Sequence, residues 1–383
     1  MGSSMNVYLD HAATTPVDPR VFHAMLPYFT ERAGNASSVH ALGQEARAAV
    51  DQARAQVAAA VGARPAEIVF TSGATESDNL AVGGVALATE ARGRHIVTTA
   101  IEHHAILEAC RFLEHRGYAV TYVPVDGRGI VDPEDVRKAL REDTVLISVM
   151  AANNEIGTLQ PVAEIGRLAR ERNIPFHSDA TQLVGAAPVS VDDLHVDLLS
   201  LSAHKRYGPK GVGALYVRRG IPLTPVQRGG SHERGRRGGT ENVPGIVGLG
   251  AALRIAIEVM GDERARLLVL RNRLVREALQ LPGAHLNGDP VHRLPNNVNL
   301  SFDRTDSQSL VMGLDLQGVA ASAGSACSSG TMEPSHVLVA LGVAPDRAEA
   351  AVRFTLGRGT TDADVTYTLT ALRDVVMRLQ RAA

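Results

Sequence analysis

Between residues 68 and 217 the sequence alternates short apolar runs with longer helical patterns, and this alternation narrows the possible folds more than any other feature. The runs lie at 68–70, 95–98, 119–123, 145–150, 175–177, 198–201 and 213–217, and helical patterns start at Glu76, Ala105, Pro133 and Val162. Apolar strands alternating with helices build a mostly parallel sheet covered on both faces. The expectation is an α/β chain with a seven-stranded, mostly parallel sheet. In such sheets ligands bind outside the carboxyl ends of the strands.

The flanking stretches read differently. A short strand at 7–9 precedes a helix started by Asp18 and Pro19, and an Ala-rich helix over 40–61 stops at Gly62. Helical patterns at 243–259 and 263–279 follow a glycine- and arginine-rich loop at 228–242. Strands at 298–302, 319–322 and 353–355, with helices at 307–316, 334–341 and 361–379, make a smaller α+β unit. The expected division is a large domain over 17–258 and a small one from 1–16 and 259–383.

Composition excludes several functions. The formal net charge of −2 gives no field for nucleic acid, and no block of like charge forms a tail. No stretch reads as a bilayer span and no signal peptide is seen, so no membrane association is expected. Two cysteines, Cys110 and Cys327, cannot staple a fold, and a reduced cytoplasmic setting fits them. Met1-Gly2-Ser3-Ser4 reads as an added leader before a native start at Met5.

Four strand ends carry chemistry. The run Leu198-Leu199-Ser200-Leu201-Ser202-Ala203-His204-Lys205 puts a lysine at a strand exit, where partial desolvation makes an amine a usable nucleophile. The alternative is a surface lysine beside a turn. Phe176-His177-Ser178-Asp179 places a carboxylate at a second strand end. Thr71-Ser72-Gly73-Ala74-Thr75-Glu76-Ser77 is a small-residue turn into a helix, whose free N–H groups suit a phosphate. Glu102-His103-His104 offers a planar ring at a fourth. A lysine for an aldehyde, an anion for a ring nitrogen, a phosphate cradle and a stacking ring are what pyridoxal 5'-phosphate asks of a protein. No metal is expected: no HExxH or CxxC occurs, and adjacent His103 and His104 on a strand would face opposite ways.

These motifs resemble the class-V aminotransferase-fold enzymes and, within them, the cysteine desulfurases. The likeness rests on Tyr8-Leu9-Asp10-His11-Ala12-Ala13-Thr14-Thr15, the turn at 71–79, Glu102-His103, Asn153-Asn154-Glu155-Ile156-Gly157, Ser178-Asp179-Ala180, Ser202-Ala203-His204-Lys205, His232-Glu233-Arg234-Gly235 and Gly324-Ser325-Ala326-Cys327. It implies the pyridoxal-phosphate fold type I and a reaction in which L-cysteine gives L-alanine and a persulfide on Cys327. It also implies roles for single residues. Lys205 carries the cofactor; Asp179 holds the ring nitrogen's proton; His103 stacks on the ring and shuttles protons. Gln182 and Asn154 reach the phenolic oxygen, Asn154 also reaching the substrate carboxylate. Ala74, Thr75, Ser202 and His204 hold the phosphate, with Thr240 from a second subunit of a homodimer. Arg353 and Asn35 meet the substrate carboxylate.

Cys327 lies among Gly, Ser and Ala in a loop at about 323–333 expected to be mobile, and such a thiol is accessible to attack and to deliver sulfur. Cys110 reads as a core residue. The loop resembles the first desulfurase group, of housekeeping and nitrogen-fixation types. Those housekeeping enzymes carry a longer tail that helps bind a scaffold, whereas this sequence ends at Arg381-Ala382-Ala383, so the acceptor stays open among an iron–sulfur scaffold, a tRNA-thiolation enzyme, DNA sulfur modification and cofactor synthesis. Other readings are a small-substrate aminotransferase, a selenocysteine lyase, or a sulfur-relay scaffold without catalysis. Bland readings remain for single residues: a turn role for Asn35, a structural ion pair for Arg353, a neighbour role for His204, and a solvated basic loop for Arg234, Arg236 and Arg237.

Overall fold

The computed structural model describes residues 7–323 and 334–382. The chain opens on β1 (Val7–Tyr8), α1 (Pro19–Met25) and α2 (Ala41–Val61). Asp18 caps α1 by accepting the Arg20 N–H, and Pro19 sits where a helix needs no donor. α2 stops because Gly62 enters left-handed backbone at φ 70° and returns its N–H to Ala58 and Ala59.

The alternating region follows as β2 (Ile68–Thr71), α3 (Ala74–Ala88), β3 (His95–Thr99), α4 (His104–Glu114), β4 (Ala119–Val123), α5 (Pro133–Ala139), β5 (Thr144–Ser148), α6 (Val162–Glu171), β6 (Phe176–Asp179), β7 (Leu198–Ser202) and β8 (Gly213–Val217). The seven strands form one sheet in the order β2-β8-β7-β6-β5-β3-β4. Neighbours from β7 to β4 are parallel, and only β8 runs against the strands beside it. Every residue of β5, β6, β7 and β8 is buried, as strands covered on both faces must be. The strand order reverses between β3 and β5, which opens a crevice at their carboxyl ends.

The remainder comprises α7 (Val243–Ala278), β9 (Ala284–Leu286), β10 (Asn297–Phe302), α8 (Ser307–Asp315), β11 (Val319–Ala320), α9 (His336–Ala340), α10 (Pro345–Ala348), β12 (Ala351–Thr355) and α11 (Asp362–Ala382). β12, β10 and β9 form an antiparallel sheet; β9 has no signal in the sequence because it is three half-buried residues at an edge. β1 pairs in parallel with β11, and Asp10 bridges to Thr355. The start of the chain is thus built into its C-terminal part.

α7 corrects two expectations. It is one helix of 36 residues, not two. Gly261 fails to break it because its position is open, where a glycine costs a helix only about 1 kcal/mol. The two halves are anchored in different cores: Val243, Ile246, Leu249 and Leu253 pack with the large sheet, and Leu267, Leu270 and Leu274 pack with β10 and α11. An 18-residue window of α7 also reaches a mean hydropathy of 1.7, long and apolar enough to cross a bilayer, contrary to the sequence reading. Burial of 61% of that window inside the chain gives its side chains a protein partner instead.

Candidate active site

A cavity of about 650 Å³ opens at the carboxyl ends of β2, β3, β5, β6 and β7. It is lined by Lys205, Asp179, His103, Gln182, Asn154, Ser202, His204, Ala74, Thr75 and Arg353, so residues spread over 280 positions of sequence meet at one place.

Lys205 ends a tight turn at Ala203–Lys205 that follows β7 directly. Its Nζ donates to the backbone oxygens of Ala12 at 2.6 Å and Ala13 at 2.7 Å. The N-terminal arm is fastened there: Thr15 N–H donates to His204 O at 2.9 Å, and Tyr207 N–H donates to Thr15 Oγ1 at 2.7 Å. This is a held amine and not a surface lysine.

Asp179, the last residue of β6, is buried, and its Oδ1 accepts the Thr181 N–H at 2.9 Å. Gln182 donates to Ala12 O at 3.1 Å from the turn beyond. His103 caps α4, its Nδ1 accepting the Ala105 N–H at 3.1 Å, which leaves the proton of the neutral ring on Nε2. Burial holds its pKa below the usual imidazole range, with Asp179 pulling it up and Lys205 pulling it down. His103 and His104 therefore stand at a helix start, and both line the cavity; the strand geometry assumed for them is wrong.

The phosphate end fits the physics of an anion site. Gly73, at φ 157° and ψ 179°, takes a conformation reserved for glycine and gives α3 no side-chain cap, leaving the first N–H groups of the helix for a ligand. Ser202 Oγ and Thr181 Oγ1 are buried without a hydrogen-bond partner among the described residues. His204 contacts Thr14 Oγ1 through Nδ1 at 3.2 Å, and burial, then Lys205, draw its pKa down to about 4. Hydroxyls without partners and an uncapped helix at one end, with a carboxylate and a ring at the other, match a phosphate-bearing pyridine aldehyde.

Arg353, on β12, is 2% exposed; Nη2 donates to Asp10 Oδ1 at 2.9 Å and Nη1 to Asn154 O at 3.0 Å. It is an ion-paired strand arginine that also faces the cavity. Asn153 shapes the neighbouring turn, its Oδ1 accepting the N–H groups of Glu155 and Ile156, and so presents Asn154. Glu155 accepts the Ser335 hydroxyl at 2.5 Å, a structural role.

Three expectations fall elsewhere. Asn35 is exposed, outside this chain's cavity, and its Oδ1 accepts the Ser37 N–H as in an ordinary Asx turn. Thr240 is also exposed and away from the cavity. Cys327 lies outside the described residues. Its described flanks end at the cavity: Ser322 exchanges backbone hydrogen bonds with Arg353, and His336 lines the cavity and donates through Nε2 to Glu102 O. The loop at 228–242 is not simply a solvated basic segment, because Arg237 pairs with Glu76 at 2.8 Å and Glu233 with Arg54 at 2.7 Å. The sequence reading missed Asp78, His104 and His336 as cavity residues; only the placement of His104 beside His103 and of Asp78 one turn beyond Ala74 hinted at them.

The family profile for class-V aminotransferases matches residues 7–368. The chain belongs to that family, whose members use pyridoxal 5'-phosphate. It is 52% identical over 375 residues to the cysteine desulfurase IscS of Dictyoglomus turgidum, covering 98% of this chain and 95% of that protein. Among solved structures, a NifS-like protein superposes with a TM-score of 0.92 at 41% identity, covering 98% of this chain and all of that one. A structure of SspA in complex with cysteine gives 0.82 at 37% identity, covering 91% and 98%. Within the family the chain is a cysteine desulfurase of the IscS kind.

Proposed function

We propose that the chain converts L-cysteine and the Cys327 thiol to L-alanine and a Cys327 persulfide, with the cavity residues in the roles their positions suit. The observation that carries this is the convergence of Lys205, Asp179, His103 and Arg353 on one cavity at the sheet's switch point. Bound pyridoxal phosphate supplies an electron sink for the substrate Cα.

Lys205 would hold the cofactor aldehyde and, once displaced, move a proton between Cα and Cβ of the substrate. Asp179 and Gln182 would address the ring nitrogen and the phenolic oxygen. Gly73, Ala74, Thr75, Ser202 and His204 would hold the phosphate. Arg353, pre-aligned by Asp10 and Asn154, would bind the substrate carboxylate as a rigid two-pronged donor. His103, neutral and carrying its proton on Nε2, would exchange it with the thiols. The Cys327 thiolate attacks the substrate sulfur: an S–S bond forms, the C–S bond breaks, and its electron pair takes up a proton at Cβ. Atoms balance without an external oxidant.

Thr240 would complete the phosphate site of a second copy in a homodimer, a reading supported by its exposure and by the exposed Phe22, Leu26, Phe29 and Leu42. An acceptor protein would take the persulfide sulfur, for iron–sulfur assembly or tRNA thiolation. Mass spectrometry after cysteine addition tests the reading: a gain of one sulfur on the peptide containing Cys327 is expected. Alanine formation that survives Cys327→Ala at the wild-type rate would exclude it in favour of a small-substrate aminotransferase or a lyase.

A further inference from the structure

Glu76 is a carboxylate standing where the reading above puts another anion. It lies in the first turn of α3 and lines the cavity beside Ser72, Gly73, Ala74 and Thr75, the turn assigned to the phosphate. Its Oε2 accepts the Ser72 N–H at 2.7 Å, so one backbone donor at this end already serves a negative group. Burial works against its ionisation, but the donors from Arg237 and Ser72 outweigh burial and hold its pKa below the usual carboxylate range. Glu76 is therefore charged near neutrality. A helix start offers a limited positive field, and two anions close together in a half-buried place repel strongly.

Arg237 answers that charge. Its Nε donates to Glu76 Oε1 at 2.8 Å and its Nη2 to Oε2 at 3.3 Å, a two-pronged contact between side chains that are each 18% exposed. Glu76 has no other ion pair among the described residues. Arg237 does not line the cavity, so it reaches Glu76 from outside it. The next residue, Gly238, is held on both backbone groups by Gln227: its N–H donates to Gln227 O at 3.0 Å, and Gln227 Nε2 donates to its carbonyl at 2.8 Å. The guanidinium is thus delivered by a seated stretch of the 228–242 loop, 161 positions away in sequence from its partner.

We propose that Arg237 is a positioning residue for the cofactor's phosphate: it cancels the charge of Glu76, the side chain that shapes the turn through Ser72, and so keeps the start of α3 able to take a dianion. The inference rests on the reading of the Gly73–Thr75 turn and Ser202 as the phosphate site. Beside an unpaired Glu76 a phosphate binds less tightly and keeps its second proton to higher pH, since a like charge disfavours the ionised form.

Two measurements on holoenzyme variants test this: the pyridoxal phosphate retained in equilibrium dialysis, and the ³¹P NMR titration of the bound phosphate. Arg237→Gln is expected to weaken retention about tenfold and to move the second ionisation of the phosphate up by about one pH unit. Glu76→Gln keeps an acceptor for Ser72 and removes the charge, so it is expected to retain the cofactor nearly as the wild type does. The double variant, Glu76→Gln with Arg237→Gln, is expected to match Glu76→Gln in both measurements. Wild-type retention in Arg237→Gln would overturn the proposal, as would weakened retention with an unmoved phosphate titration. A loss in Glu76→Gln as large as that in Arg237→Gln would reduce the pair to a structural tie, and a double variant weaker than Glu76→Gln would mean that Arg237 meets the phosphate itself; either result overturns the proposal, and the second comparison stands even if Arg237→Gln alone fails to fold. Ser202→Ala separates the two claims. If it leaves both measurements at wild-type values, the reading of the phosphate site fails; if it shifts them while Arg237→Gln does not, only the role of Arg237 fails.

Discussion

Lys205 donates to the backbone oxygen of Ala12 across 2.6 Å, although 193 positions separate the two residues. With the second bond to Ala13, this contact fixes the direction of the amine. Capturing an aldehyde requires the same nitrogen to give up protons and exchange a backbone partner for a carbon.

Lys205→Ala and Lys205→Arg are therefore both expected to lower cysteine turnover, by on the order of 10³-fold or more. Arginine keeps the donors to Ala12 and Ala13 but does not deprotonate. Alanine release checks the rate, and the visible absorbance of the purified proteins checks the covalent link. Lys205→Arg with near-normal turnover would remove the amine from the mechanism.

Arg353 couples Asp10 and Asn154 to the cavity. Arg353→Lys is expected to raise KM for cysteine about ten- to a hundredfold, the worth of a charge-assisted hydrogen bond, with a smaller change in kcat. Asp10→Asn leaves the guanidinium but loosens its aim, so a smaller rise in KM is expected. Steady-state kinetics on the two variants distinguish clamp from support.

Glu102 is fully buried, and its pKa rises to about 8 from burial, against the pull of Thr99 and Met150 donors. The folded protein keeps that proton up to about pH 8, whereas the unfolded chain loses it near pH 4.5. Stability from this group is complete below the lower value and declines as pH rises through the window between them, by about 1.4 kcal/mol per pH unit. Urea midpoints measured from pH 5 to 8 are expected to decline less steeply in Glu102→Gln than in the wild type. Parallel pH profiles would refute a protonated Glu102.

Arg54 and Glu233 form a two-bond ion pair at 2.7 and 2.8 Å with both side chains nearly inaccessible, and Glu233 also accepts the Phe70 N–H. Removing one partner strands the other, so Glu233→Ala is expected to cost about 3–5 kcal/mol. Replacing both by apolar residues, Arg54→Met with Glu233→Leu, is expected to recover much of that loss. Thermal unfolding of the single and double variants provides the measurement.

What the sequence made legible is what short-range chemistry encodes. Continuous apolar strands such as Leu198–Ser202, the turn into α3 and the asparagine turn before Asn154 all declare themselves within a few residues. The two helical patterns at 243–259 and 263–279 are one helix, because packing holds both of its halves and packing is set by distant partners. The contacts of Lys205 with Ala12 and of Arg54 with Glu233 left no trace, since nothing local tells a backbone oxygen or an interior acid which cation will come to it. Asp78 looked like one more polar residue on a helix; only the sheet packed against α3 makes it an interior group.

The seating of β1 against β11 has a consequence for synthesis. Val7 and Tyr8 leave the ribosome among the first residues, yet β1 has no strand to pair with until Val319 and Ala320 have emerged, and Asp10 none to bridge until Thr355 has. A nascent chain that stops short of them lacks the Thr355 hydroxyl that accepts the Ala12 N–H, and holds the arm through Thr15, Gln182 and their partners. The seat of the catalytic amine thus receives its last support only when nearly the whole message has been read.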